Sequence, residues 1–82
     1  MSTKTVDLIS PRQCRAARAL LDMTQSELAQ LAGVGLSTVV DFEKSRREVS
    51  PNAVGALRSA LEAAGISFIE KNGGGAGVRA KK

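Results

Sequence analysis

"MTQSELAQLAGVGLSTVVDFEKSRR", residues 23–47, holds two short apolar-periodic segments separated by a glycine. Thr24-Gln25-Ser26-Glu27 opens the first as a capping box, in which a hydroxyl and an acid three residues on satisfy each other's free amides. Leu28, Ala29 and Ala32 supply its apolar stripe, and Gly33 stands where a left-handed stop is needed. The second segment begins near Gly35 or Leu36 and runs to about Lys44, with Val39 and Phe42 as its buried pair. Leu36, Ser37, Val40, Asp41 and Lys44 then face outward, where a merely solvated helix would carry more charge. Ala29 must be small because the two helices approach closely there, and Val34 plugs the corner.

The flanks continue the helical pattern. Ser10-Pro11-Arg12-Gln13 is a helix start: Ser10 caps free amides, Pro11 suits the first helical position, and Gln13 completes a capping box. That helix extends to about Leu21, with Cys14, Ala17 and Leu21 on one face. Ser50-Pro51 opens a fourth helix over 51–64, with Val54, Leu57, Leu61 and Ala64 spaced three, four and three apart, and Gly65 ends it. "ISFIE" then alternates in strand fashion, "KNGGGAG" is a turn or link, and "VRA" forms a short second strand. The expected organisation is a loose arm over 1–9, with a short strand at 6–9, a helical domain over 10–65 and a β and glycine-rich tail over 66–82. The fold class is mainly α, four helices with a short C-terminal β tail.

Composition narrows the function. Eighty-two residues support one core, and with two Phe, no Trp and no Tyr that core is built from Leu, Val, Ile and Ala. No run of 18 apolar residues exists, and "MSTKTVDLIS" lacks the continuous apolar stretch of a secretory signal. Lone Cys14 cannot form an internal disulfide, and without His the usual zinc sites are excluded, which fits a reducing cytoplasm. No catalytic residue, metal or cofactor is expected. Twelve basic against eight acidic residues give a net charge of +4, and the cations cluster: Arg12, Arg15 and Arg18 early, Lys44, Arg46 and Arg47 after the second quoted segment, and Arg79, Lys81 and Lys82 at the end. Such a surface attracts polyanions.

Two short helices joined by a glycine-containing turn make a helix-turn-helix, whose second helix fits the major groove of B-DNA while the first crosses the phosphate backbone. "TQSELAQLAGVGLSTVVDFEKSRR" resembles the phage Cro/repressor (XRE) family of regulators, in "TQ", "ELA", "AGV", "ST", Glu43 and the basic loop after it, and the likeness covers about residues 11–64. The resemblance implies a lambda-repressor-like core that binds two-fold operator DNA as a homodimer and regulates transcription, as a repressor or dual regulator. It implies phosphate contacts by Gln25, Thr38, Lys44, Arg46 and Arg47, base reading by Leu36, Ser37, Val40 and Asp41, and an ion pair between Arg18 and Glu43. Apolar Leu36 and Val40 suit thymine methyl groups, and Asp41, an acceptor only, suits the cytosine amino group. Gly35 replaces the family's usual Ser or Thr cap, and Asp22 stands where Gly commonly ends the first helix. The tail is expected to build the dimer through Leu61, Ile66, Phe68 and Val78. A different class of partner is also open: in an antitoxin the same core binds DNA while the tail neutralises a partner protein.

Several features have plainer readings. Cys14 lies on an apolar face and packs as a small hydrophobe rather than a redox switch. The three glycines at 73–75 precede no Lys-Ser/Thr and no helix start, which argues against a phosphate loop. Glu62 and Glu70 have no His, metal motif or second acid at a shared site to support catalysis and are surface charge. Leu31 is either covered by the tail or a scattered surface residue.

Overall fold

Hydroxyl side chains set where three of the four helices begin. The computed structural model describes residues 8–70 and 74–81. Ser10 Oγ accepts from the Gln13 amide at 3.1 Å while Gln13 Oε1 accepts from the Ser10 amide at 2.8 Å, and α1 (Pro11–Leu21) follows. Thr24 and Glu27 exchange the same pair of bonds at 3.0 and 2.9 Å to start α2 (Gln25–Ala32). Ser50 caps α4 (Pro51–Ala63) through the Ala53 amide. The start of α3 (Leu36–Glu43) differs: Gly35 precedes it with no side-chain cap.

One device ends α1, α2 and α3. Asp22, Gly33 and Ser45 adopt left-handed φ values of 54, 72 and 54°. The amide just beyond each reaches back five residues, Met23 to Arg18, Val34 to Ala29 and Arg46 to Asp41, at 2.9, 3.1 and 2.9 Å. This is the six-to-one bond of a Schellman turn, which satisfies a terminal carbonyl. Two of the three sites tolerate a left-handed Asp or Ser because the returning bond holds them there.

The core draws on both ends of the described chain. Ile9, just before α1, and Ile66, just after α4, are buried among Cys14, Leu28, Val39, Leu57 and Leu61. Residues 8–10 form no strand, and the rest of the strand expected at 6–9 falls outside the described residues. Ile9 instead acts as a core plug. After Gly65, whose φ is 111°, the chain turns into β1 (Ile66–Ile69), which pairs antiparallel with β2 (Gly77–Ala80); Phe68 lies opposite Val78.

This hairpin is bolted to the helices. Gln13 Nε2, beyond the capping box, donates to the carbonyls of Gly77 at 3.0 Å and Ile69 at 3.4 Å, one on each strand. The Lys81 amide donates to the Gly65 carbonyl at 2.7 Å. Ile66, Phe68 and Val78 face the helices and pack on their core. Within one chain, the dimer residues expected from sequence turn inward: Leu61 and Ile66 are 0% exposed, and Phe68 and Val78 are half-buried against the chain's own core. Strand alternation turns Ser67, Ile69 and Arg79 to the other face, and Ile69 is 40% exposed.

Gln13→Glu separates the two jobs of this side chain. A carboxylate still accepts from Ser10, but it faces two carbonyls it cannot donate to. The variant is expected to lose about 1–3 kcal/mol in urea unfolding, with amide exchange accelerated most across β1 and β2. Unchanged protection of the hairpin would show that Gln13 does not hold it.

Candidate nucleic-acid interface

The α3 surface is fixed from beneath. Val39, Phe42 and Glu43 are buried, so the opposite stripe is forced outward: Leu36 is 47% exposed, Ser37 is exposed, and Thr38, Val40 and Asp41 are half-buried. Lys44, Ser45, Arg46 and Arg47 follow directly and are exposed.

Glu43 is the most deeply buried charge among the described residues, 2% exposed, and four donors reach its two oxygens. Arg18 makes a forked pair, Nη2 to Oε1 and Nε to Oε2, both at 2.7 Å. Gln25 Nε2 adds a bond to Oε1 at 3.0 Å, and Cys14 Sγ adds one to Oε2 at 3.2 Å. Arg18 also donates to the Met23 carbonyl at 3.0 Å, and Arg15 Nη1 donates to the main-chain carbonyl of Glu43. Burial pushes the Glu43 carboxyl up, but the hydrogen bonds from Arg18, Cys14 and Gln25 outweigh it and the net shift is downward. Burial and the bond to Glu43 push the Cys14 thiol far above its ordinary range, so it stays neutral. The bond to Glu43 likewise raises Arg18, against a smaller opposing effect of burial.

The outer charges are also organised. Asp41 Oδ2 accepts from Arg47 Nε at 2.9 Å, and Arg46 Nη1 lies 3.9 Å from Oδ1. The base-reading and phosphate-binding sets expected from sequence are thus joined at Asp41. Thr38, Lys44, Arg46 and Arg47 gather around α3, whereas Gln25 sits at the first turn of α2 with its side chain engaged by Glu43.

Sequence reasoning missed the thiol donor of Cys14, the link from Arg15, the reach of Gln13 to the hairpin and the acceptance of Arg47 by Asp41. Cys14 lies one helical turn before Arg18, which was the available signal for the first. Opposite charges flanking a turn were the signal for the last.

A sequence model described as helix-turn-helix matches residues 15–64, more than half of the chain. No curated protein matches it. Among the described residues, no helix is long and apolar enough to cross a membrane.

Removing either side of a buried, hydrogen-bonded ion pair strands the other. Glu43→Ala should cost about 3–5 kcal/mol, whereas Glu48→Ala, at an exposed site, should stay within about 0.5 kcal/mol. The downward shift of Glu43 also fixes a pH signature. Its stabilisation is present above the unfolded carboxyl value of about 4.3 and is lost as pH falls through the lower folded value. Melting curves from neutral to acid pH should show a shallower acid limb for Glu43→Gln than for the wild type.

Proposed function

The chain belongs to the Cro/C1-type helix-turn-helix family of DNA-binding transcriptional regulators, and on that premise we propose that it grips a two-fold operator as a homodimer and acts as a repressor or dual regulator. The observation that carries this reading is the outer stripe of α3, short-sided and apolar, held rigid from beneath and flanked by Lys44, Arg46 and Arg47. In the major groove, Leu36 and Val40 contact thymine methyl groups, and Ser37 donates or accepts with little discrimination. Lys44, Arg46 and Arg47 meet the phosphates beyond α3, Thr38 meets one at its start, and the second amide hydrogen of Gln25 meets one at the start of α2. A dimer seated across a promoter excludes polymerase by occupying the same duplex. The family is one of DNA-binding domains and is not an enzyme family.

Two-fold operators need a two-fold protein. The hairpin supports this role, since two strands alone leave unpaired edges and Ile69 stands exposed on the outer face. Ile69 is the exposed apolar side chain that the hairpin offers to a second copy. Ile69→Lys should leave the fold intact and convert a sedimenting dimer to a monomer at micromolar concentration. A variant that still sediments as a dimer would move the interface elsewhere.

Selection from a randomised duplex pool tests the whole reading. It should return thymine-containing half-sites about 34–36 Å apart, centre to centre. Arg46→Ala should weaken binding to every sequence and lower the salt slope by roughly 1 per phosphate contact in each subunit. No enrichment of any sequence would sink the proposal. Copurification with a stoichiometric partner protein would place the chain with the antitoxins instead.

A further inference from the structure

Asp41 stands on the outward side of α3, half-buried and engaged by the two arginines that follow the helix. Its carboxylate and its main-chain carbonyl both hold the segment that follows the helix. The carbonyl accepts the Arg46 amide at 2.9 Å, closing the left-handed turn at Ser45. Oδ2 accepts Arg47 Nε at 2.9 Å, and Oδ1 lies 3.9 Å from Arg46 Nη1. The side chain of Asp41 is 22% exposed, while those of Arg46 and Arg47 are 59% and 51% exposed. The acid is thus tucked behind two protruding guanidiniums.

A guanidinium carries five N–H donors in a planar fork. Engaging Arg47 through Nε leaves the donors of both terminal nitrogens unassigned to any partner among the described residues. That is the geometry in which one end of the fork is held and the other is presented. A lysine could not do both, because its ammonium is a single point of charge.

We propose that Asp41 is a positioning residue for DNA binding: it orients Arg47, and with it the Arg46–Arg47 turn, so that the terminal nitrogens meet a backbone phosphate beside the groove that α3 occupies. This rests on the reading of the chain as an operator-binding protein. The carboxylate contributes by removing rotational freedom from Arg47 before binding, not by touching a base. It also sets the register of α3, because Arg47 contacts the phosphate only when the helix lies at one depth in the groove.

Three roles for Asp41 give different signs. As a simple repelling charge, its removal tightens binding to all DNA. As a base reader, its removal changes base preference at one position in each half-site. As a positioning residue, its removal weakens binding to the selected duplex although net positive charge has risen, leaves base preferences as they were, and does so only while Arg47 is present.

The test is a thermodynamic cycle with wild-type protein, Asp41→Asn, Arg47→Lys and the double variant, measured on the duplex that the wild type selects from a randomised pool. Circular dichroism melts of all four check folding. Asp41→Asn is expected to weaken binding by up to about fivefold per subunit, the upper end for an exposed ion pair. In the Arg47→Lys background the same change should have an effect of less than about twofold, since coupled residues fail to add. Selections with Asp41→Asn should return the wild-type sequence preferences. Tighter binding by Asp41→Asn, an altered base preference, or equal effects in both backgrounds would each overturn the positioning role while leaving the operator-binding reading intact. A wild type that enriched no sequence would overturn both.

Discussion

A buried carboxylate with four donors holds α3 in place. Glu43 takes bonds from α1 through Arg18 and Cys14 and from α2 through Gln25, while its own helix supplies only the acid. Three helices therefore meet at two oxygen atoms. A charge so deeply placed would be expelled from the core if any donor set were incomplete. The constraint is geometric as well as energetic: Arg18 approaches as a fork, which fixes the rotation of α3 about its axis. Val39 and Phe42 fill the space beneath, but apolar packing alone tolerates sliding that a forked ion pair does not.

That fixed rotation decides what the surface displays. With Val39, Phe42 and Glu43 facing in, Leu36, Ser37 and Val40 must face out, whatever their hydropathy. An exposed Leu at the start of a helix is unremarkable by itself. On this helix it lies beside the basic turn that follows α3, so apolar contact and cationic attraction serve one face. The net charge of +4 is consistent with attraction to DNA, but its placement around the end of α3 matters more.

Local signals in the sequence were strong where the physics is local. Ser10, Thr24 and Ser50 marked three helix starts, and Gly33 marked the turn of the motif, because capping and left-handed stops depend on residues a few positions apart. The partnership of Arg18 with Glu43 came from the family resemblance, since nothing in spacing alone brings positions 25 residues apart together. The hairpin was visible in alternation, but its seat was not. Gln13 read as a capping residue, and its second role involves carbonyls 56 and 64 residues away. The inward seating of the expected dimer residues was hidden for a related reason. Alternation shows that Ile66, Phe68 and Val78 share a face, but it does not show whether that face meets the chain's own helices or another subunit.

The fastening of the hairpin by Gln13 has a consequence for how the chain is made. Synthesis runs from the N-terminus, so α1 leaves the ribosome long before Gly77 exists. Until then the donor of Gln13 has water as its partner, and the groove that receives Ile66 and Val78 stands open. Helices α1 to α4 can form and meet early through short-range contacts, whereas the β closure joins the two ends of the described chain and must come last. A folding chain thus passes through a helical unit with an unroofed flank, and the pairing of β1 with β2 completes the roof.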